Sequence, residues 1–346
     1  MPRINTVCVN ARFTKQRLTG VQRYAQEVIQ HLHQGVQLLS PPEVSLLSRG
    51  PLWEQVILPF SIPKCGLLWS PTNTGPLAVS RQVVTIHDAS TLDHPEWFHP
   101  GFAAWYRFLL PRLARRVRQV ITDSHFSKEL IVFACQVPEG KVHVVYPGVG
   151  AQFQPALPEQ VQAVCERYGL DGSYLLVVGS LEPRKNLPHL FQAWSLVQPQ
   201  YQNMTVAVIG SRGYPFHDPQ LADIPPGVKV LGGVPDADMP VLYSGATALV
   251  FPSIYEGFGL HVLEAMACGT PVVASNAASI PEAVGEAGVL FDPYEIEAMA
   301  EALKKVIIDI ELRQELSSKG LERARQFTWE KTARQVWDVL QAAMEP

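Results

Sequence analysis

The chain has 346 residues, a formal net charge of −4, 47% apolar residues and only 17% charged ones, so it can bury sizeable cores and is neither disordered nor fibrous. At about 150 residues per domain, that length implies two domains. Residues 1 to 165 carry 15 basic and 10 acidic side chains, net +5, against 13 and 22, net −9, in the remainder; the overall balance argues against a nucleic-acid partner, and the basic half suits an anionic acceptor or a bilayer surface.

Apolar runs recur at 6–9, 83–86, 120–122 and 142–146, and again at 174–178, 205–209, 228–231, 248–251, 272–274 and 288–291. They are continuous Val/Ile/Leu runs separated by amphipathic helical patterns, which predicts parallel strands covered on both faces and an α/β fold in both halves. Between 146 and 175 the pattern lapses into YPGVGAQFQPALPEQ, which predicts the domain boundary. After residue 293 only helical patterns follow, over 296–308, 312–326 and 329–343, so the last helix must pack on a surface that already exists. Two open sheets placed face to face leave a cleft lined by the carboxyl ends of their strands, where doubly wound folds bind ligands.

Five cysteines (Cys8, Cys65, Cys135, Cys165 and Cys268) stand far apart with no metal-ligand spacing, which predicts a reduced chain without structural zinc. The opening nine residues are too short and polar for a signal peptide, and no apolar run approaches the ~20 residues of a membrane span. The expectation is a cytoplasmic protein, peripheral to a membrane at most. The stretch 105–120 sets Arg107, Arg112, Arg115, Arg116 and Arg118 beside aromatic and leucine residues. It reads either as a core-facing helix with a basic outer face or as a helix lying on an anionic membrane.

The segment FPSIYEGFGLHVLEAMACGTPVVAS carries the most chemistry. A strand ends at Phe251, a loop holds Glu256, Gly257 and Gly259, and a helix starts near Leu260. Glycines let a ligand approach the backbone, and a helix start offers N–H groups to an anion such as a diphosphate. Glu256 and Glu264 lie too far apart in such an arrangement for an acid pair but can flank a phosphate, each reaching hydroxyls on its own side. VVGSLEPRKN adds Arg184 and Lys185 in another loop at a strand's carboxyl end, a fork and a point charge suited to a diphosphate. In the first half TIHDAS ends a strand on His87 and Asp88, and TGVQRYAQEV puts Thr19 and Gly20 before a helix. DSHFSKEL reads as a helix start capped by Asp123 or Ser124. Asp236-Ala237-Asp238 has the DxD form of some metal sites, but following Pro235 it reads as the acidic opening of a helix.

These segments together resemble the retaining glycosyltransferases of family 4. TGVQRYA, TIHDAS, HPEWF, TDSHFSKEL, VVGSLEPRKN, GGVPDADMPVLYSGATALVFPSIYEGFGL, LEAMACGTPVVAS and FTWEKTA appear in the family's order between Gly20 and Ala333. The resemblance implies a GT-B fold, with two Rossmann-like doubly wound domains facing across a cleft. It implies an acceptor-side domain over 1–165, a nucleotide-sugar domain over 166–327, and a final helix over 328–346 returning to the first domain. By the same resemblance Arg184 and Lys185 bind the donor diphosphate, and Glu256 holds hydroxyls of the transferred sugar. Gly257, Phe258, Gly259 and Leu260 form the loop whose amides contact sugar and phosphate, and Glu264 binds the ribose. Gly20 lies near the phosphates, and His87 stands beside the reacting carbon. No metal and no cofactor are implied, since the cations and the helix start supply the positive charge. His261 departs from the family's usual Pro and restores an N–H donor there. The expected reaction moves a hexose, mannose from GDP-mannose on the likeness of GVQRY and HPEWF, to a glycan or lipid-linked acceptor in polysaccharide biosynthesis. A UDP-sugar donor and a non-catalytic sugar-nucleotide or glycan-binding module are the alternatives. The guanine or uracil pocket is expected around 210–214 and 233–235.

Overall fold

The structure, a computed structural model, describes residues 6–16, 19–32, 35–42, 50–63, 66–170, 172–211 and 224–345. They form two compact units, Met1–Glu96 with Pro100–Gly148 and Thr328–Pro346, and Trp97–His99 with Val149–Phe327. The division falls at Gly148, ahead of the boundary after 165 expected from sequence. The reason is that α6 (Pro158–Tyr168), which precedes the second unit's first strand, packs in that unit beside α8 (Met239–Gly245). A bidentate bond from Arg167 Nη1 to Asp238 (3.0 and 2.9 Å) and one from the Tyr168 hydroxyl (2.7 Å) fasten the two helices. Asp238 therefore stands at the N-cap position of α8 without capping it by a side-chain bond. Its carboxylate serves α6.

In the first unit β1 (Val7–Asn10), β2 (Gln37–Leu39), β3 (Leu67–Ser70), β4 (Gln82–Thr85), β5 (Gln119–Thr122) and β6 (Val142–Val144) form one parallel sheet in the order β2-β1-β3-β4-β5-β6. The helices are α1 (Gly20–His31), α2 (Leu58–Ser61), α3 (Ser90–Asp93), α4 (Pro100–Arg116) and α5 (His125–Cys135), joined by α13 (Trp329–Met344) from the far end of the chain. One face buries Tyr24, Ala25 and Val28 of α1 with Trp329, Ala333, Val336 and Leu340 of α13 against Val9 and Trp69. The opposite face packs Leu110, Leu113 and Ala114 of α4 and Ile131 of α5 against Val84 and Val120.

The sequence reading missed β2 and β3. The run of β2 is three residues long at a sheet edge, with Leu38 half exposed. β3 is fully buried between β1 and β4, but its LLWS is too short to show a period. The basic stretch is α4 and the residues just after it, and two of its arginines are committed within the unit. Arg115 Nε donates to Cys135 O (2.8 Å), and Arg118 Nη1 donates to Ala343 O and Glu345 O (2.6 Å each), carbonyls at the end of α13.

In the second unit β7 (Tyr174–Val178), β8 (Thr205–Ile209), β9 (Val228–Gly232), β10 (Ala248–Phe251), β11 (Val272–Ser275) and β12 (Gly288–Phe291) are again all parallel, in the order β12-β11-β10-β7-β8-β9. Its remaining helices are α7 (Leu187–Val197), α9 (Leu260–Ala267), α10 (Ile280–Val284), α11 (Ile296–Ile308) and α12 (Ile310–Ala324). α7 and α11 close one face around Trp194, Leu190, Met299 and Leu303, and α9 packs with α8, α10 and α12. Both sheets match the fold class read from sequence. No helix of the described residues is long and apolar enough to cross a membrane. The described cysteines are free, and burial pushes the thiols of Cys135 and Cys268 up to about 11 and about 12. Cys65 lies outside the described residues.

The chain leaves the first unit at Gly148 and re-enters it at Thr328, and the two passages touch backbone to backbone. A Cβ on Gly148 would stand 2.3 Å from Trp329 N and 2.5 Å from the carbonyl carbon of Thr328. Gly148→Ala should therefore destabilise the protein by roughly 1–3 kcal/mol, the usual cost of overpacking. Gly140→Ala, where nothing lies within 4 Å of the new methyl, should be close to neutral. Urea unfolding of both variants checks the contrast, and equal midpoints would refute it.

Candidate functional site

In the second sheet the chain runs outward from β7 through β8 to β9, then restarts on the other side of β7 with β10. The crevice outside the carboxyl ends of β7 and β10 is therefore the topological switch point, the place where open α/β sheets bind ligands. The loops after these two strands carry the residues singled out from sequence.

The loop after β7 is held close to β8. Gly179 N donates to Ile209 O (3.0 Å), Leu181 N to Ser211 O (3.2 Å), and a Cβ on Gly210 would lie 1.9 Å from Gly179 O. Gly179 itself has φ +149, and a side chain there would press on Lys185 Cε at 2.8 Å. Gly210 thus lets the two loops approach, and Gly179 leaves room for the lysine to run back along the strand end. A 3-10 turn over Pro183–Lys185 follows, with Asn186 at φ 56 opening α7. The loop after β10 is joined to it through the backbone, Ile254 N donating to Arg184 O at 2.8 Å. Ser279 Oγ fixes the second loop by donating to Glu256 O (2.8 Å).

The side chains then meet. Glu256 Oε2 accepts from Arg184 Nη1 (2.8 Å) and Oε1 accepts from Lys185 Nζ (2.5 Å). Arg184 Nη1 also donates to Tyr255 O (3.2 Å), and Nη2 lies 2.8 Å from Glu182 Oε1, a charge contact without the alignment of a hydrogen bond. Glu182 is 1% exposed, Lys185 and Glu256 7% each. Arg184 and Lys185 are thus largely buried, with two carboxylates balancing two cations. Burial alone would raise the Glu256 carboxyl, but Lys185 and Arg184 outweigh it and hold the group down at about 2.

The second carboxylate is organised separately. Gly259, at φ +105, stands immediately before α9 in a conformation that favours glycine, and Leu260 opens the helix. One turn on, Glu264 is buried, its Oε2 accepting from the Tyr243 hydroxyl (3.0 Å) and lying 2.8 Å from His261 Nδ1. His261 thus contributes a side-chain contact to Glu264 as well as a backbone N–H. Gly257 lies beside Phe258, which is buried with its ring 5.6 Å from Phe327.

In the first unit Gly20 opens α1 behind Thr19, whose N–H donates to Gln22 Oε1 (3.1 Å), and a Cβ on Gly20 would meet nothing within 4 Å. His87 follows β4 and is buried, its Nδ1 2.7 Å from Asp123 Oδ2 and its Nε2 3.0 Å from Pro71 O. Ser124, not Asp123, caps α5, accepting from Ser127 N at 3.0 Å. Asp88 stands one residue before the N-cap Ala89 of the short α3, and its Oδ1 accepts from Ser90 N (2.9 Å). Of the expected base-pocket loops, residues 212–214 lie outside the described residues. Sequence reasoning missed Glu182 and Tyr243, and read Asp123 only as a candidate helix cap. Glu182 was visible as a carboxylate two and three residues from the two cations, whereas nothing local marks Tyr243.

The low Glu256 value has a sign. Its unfolded carboxyl titrates near 4.5 and its folded one near 2, so its contribution is complete above about pH 4.5 and disappears as pH falls toward 2. At about 1.4 kcal/mol per unit this is on the order of 3 kcal/mol. Glu256→Gln should flatten the pH dependence of urea unfolding between 4.5 and 2 and lower stability at pH 7, where Lys185 and Arg184 lose their counter-charge. Unchanged slopes would contradict the ion-pair account.

Comparison with known proteins bears on the same segments. The family model "Glycosyl transferases group 1" matches residues 167–323 and "Glycosyltransferase Family 4" matches 69–153. O-antigen chain mannosyltransferase B of Escherichia coli is 34% identical over 74% of this chain and 68% of its own length. The serotype-specific mannosyltransferase WbdA of the same species is 26% identical over 73% of this chain, which spans about a third (32%) of that longer protein. Among solved structures, Anabaena HepE in complex with UDP and glucose aligns with a TM-score of 0.76 at 19% identity, covering 98% of this chain and 99% of that one. WaaG, a glycosyltransferase of lipopolysaccharide biosynthesis, aligns with a TM-score of 0.74 at 16% identity, covering 97% and 99%. With its two doubly wound units and these matches, the chain belongs to the group 1, family 4 glycosyltransferases and has the GT-B fold.

Proposed function

We propose that this glycosyltransferase moves a mannosyl residue from GDP-mannose to a glycan or lipid-linked acceptor in the assembly of a polysaccharide, with retention of anomeric configuration and without an essential metal. The observation that carries the reading is the Arg184–Glu256–Lys185 cluster at the switch point of the second sheet, one loop away from the start of α9. The names of the relatives, mannosyltransferases of O-antigen chains, support the choice of sugar.

In this reading the nucleotide-sugar is a substrate and no cofactor takes part. Lys185 uses one of its three donors on Glu256 and keeps two for a phosphate oxygen. The amides at Phe258, Gly259 and Leu260 face the same anion, Glu264 takes the ribose hydroxyls, and Glu256 takes hydroxyls of the sugar. The bond from the anomeric carbon to the diphosphate oxygen breaks, and a bond to the acceptor oxygen forms on the same face. The acceptor's proton passes to the leaving diphosphate. Positive charge fixed before the reaction stabilises the departing group without reorganisation. The basic surface of the first unit, including the part of α4 not tied to α5 and α13, suits a lipid-linked acceptor at a membrane.

Nucleotide release tests the donor. GDP-mannose should be consumed in preference to UDP-glucose, and the product should keep the α configuration by NMR. A clear preference for UDP-glucose, or an inverted product, would overturn those parts of the proposal. Activity should persist in chelator, and its loss with recovery on adding magnesium or manganese would overturn metal independence. Glu264→Gln should weaken binding of GDP and GDP-mannose alike, by about 10- to 100-fold for a lost charged hydrogen bond. Glu256→Gln should mainly slow transfer while GDP still binds. Calorimetric titration with GDP separates the two, and equal losses would refute the division of roles.

A further inference from the structure

β4 and β5 are neighbours, with Thr85 in register with Ile121, so the turns that follow them bring His87 and Asp123 together at the carboxyl edge of the first sheet. The backbone of His87 is fixed as well, its N–H donating to Asn73 Oδ1 at 2.8 Å. Asp123 Oδ2 lies 2.7 Å from Nδ1 and the Pro71 carbonyl 3.0 Å from Nε2. A carboxylate and a carbonyl can only accept. Both contacts are hydrogen bonds only if both ring nitrogens carry a proton. A neutral ring would point a lone pair at an acceptor oxygen inside a pocket that leaves His87 6% exposed, and it would leave Asp123 a buried carboxylate without a counter-charge.

The neighbours on every side agree. Pro71 and Asn73 come from the loop after β3, Asp123 from the turn after β5, and Asp88 is next in the chain. From α1 the Tyr24 ring meets the imidazole edge-on, centroids 4.8 Å apart at 82°. The charged groups among these are the two aspartates. Burial pulls the proton affinity of His87 down, but Asp123, the Pro71 carbonyl and Asp88 pull it up more strongly, and the net direction is upward. Since Ser124 caps α5, Asp123 has no helix to serve, and its second oxygen, Oδ1, is buried without a hydrogen-bond partner.

We propose that Asp123 is a positioning residue that keeps His87 a doubly protonated imidazolium, so that His87 offers the fixed positive end of a neutral ion pair and does not act as a proton acceptor. This rests on the reading above, in which His87 acts beside the reacting sugar. It deepens that reading by assigning the acceptor's proton to the leaving diphosphate and none of it to the imidazole.

Imidazole 15N NMR of histidine-labelled protein tests the charge state in the unmodified chain, with His87→Gln assigning the signal. The His87 midpoint should lie above the ordinary imidazole value; a midpoint at or below the ordinary 6.5 would overturn the proposal. In Asp123→Asn the midpoint should fall to about 6.5 or below. Transfer from the nucleotide-sugar should then drop about 25-fold or more between pH 6 and 8, the loss of imidazolium expected for that midpoint, with KM for the donor unchanged. Asp123→Glu should restore a flatter profile. If Asp123→Asn follows the pH profile of the parent, the catalytic half fails. If the parent transfers no sugar from any nucleotide donor, the functional reading fails, and the NMR titration still decides the charge state. It also decides if Asp123→Asn does not fold.

Discussion

The contact that holds the second unit's candidate site together is the carboxylate of Glu256 between Lys185 and Arg184. Three charged groups brought together at low exposure are costly to separate, and breaking such a pair by removing one member typically costs 3–5 kcal/mol. The contact joins the loop after β7 to the loop after β10, the only two strand ends that meet at the switch point. It also limits what can bind there. A ligand that brought only negative charge would compete with Glu256 for the same N–H groups. One that offered both an anion and a hydroxyl would satisfy cations and carboxylate together, and a diphosphate attached to a sugar has that pairing.

The first unit follows the same logic with different residues. Its switch point lies between β1 and β3, since β2 turns one way from β1 and the later strands the other. The strand ends there are Asn10 and Ser70, and both belong to a buried polar cluster. Asn10 Nδ2 donates to Glu54 Oε2 (2.9 Å), as does Thr74 Oγ1 (3.0 Å), while Arg12 Nε lies 3.2 Å from the same oxygen. Together with His87 and Asp123, each unit thus sets buried ion pairs at the carboxyl edge of its sheet, where the helices leave the backbone ends uncovered. In both units, acceptor-rich loops are kept in place by charge as well as by packing.

The sequence showed the parallel α/β architecture because strands covered on both faces need unbroken Val/Ile/Leu runs, as at Tyr174–Val178 and Ala248–Phe251. It showed Arg184, Lys185, Glu256 and Glu264 because each sits at a strand end or helix start that local pattern can mark. What it did not show depends on partners distant in the chain. The burial of Lys185 depends on Glu256, 71 residues away, and the pairing of His87 depends on Asp123, 36 away. β3 escaped notice because four residues carry too little period, although it is as buried as any strand in the molecule. Asp238 was visible as an acidic helix start, but its bond to Arg167 comes from a helix that the boundary expected after 165 cuts in two.

The last helix has a consequence for how the chain is made. Trp329, Ala333, Val336 and Leu340 of α13 complete the same apolar cluster as Val7, Val9 and Tyr24, yet the whole of Val149–Phe327 is synthesised between them. At about 5–20 residues per second, a ribosome needs on the order of ten to forty seconds for that interval. Throughout it, one face of the first sheet lacks the helix that covers it. The second unit has no such debt, since its strands and helices emerge in one uninterrupted stretch apart from Trp97–His99. During vectorial synthesis the nascent first unit is therefore the natural client for chaperones, and the half made first is the half completed last.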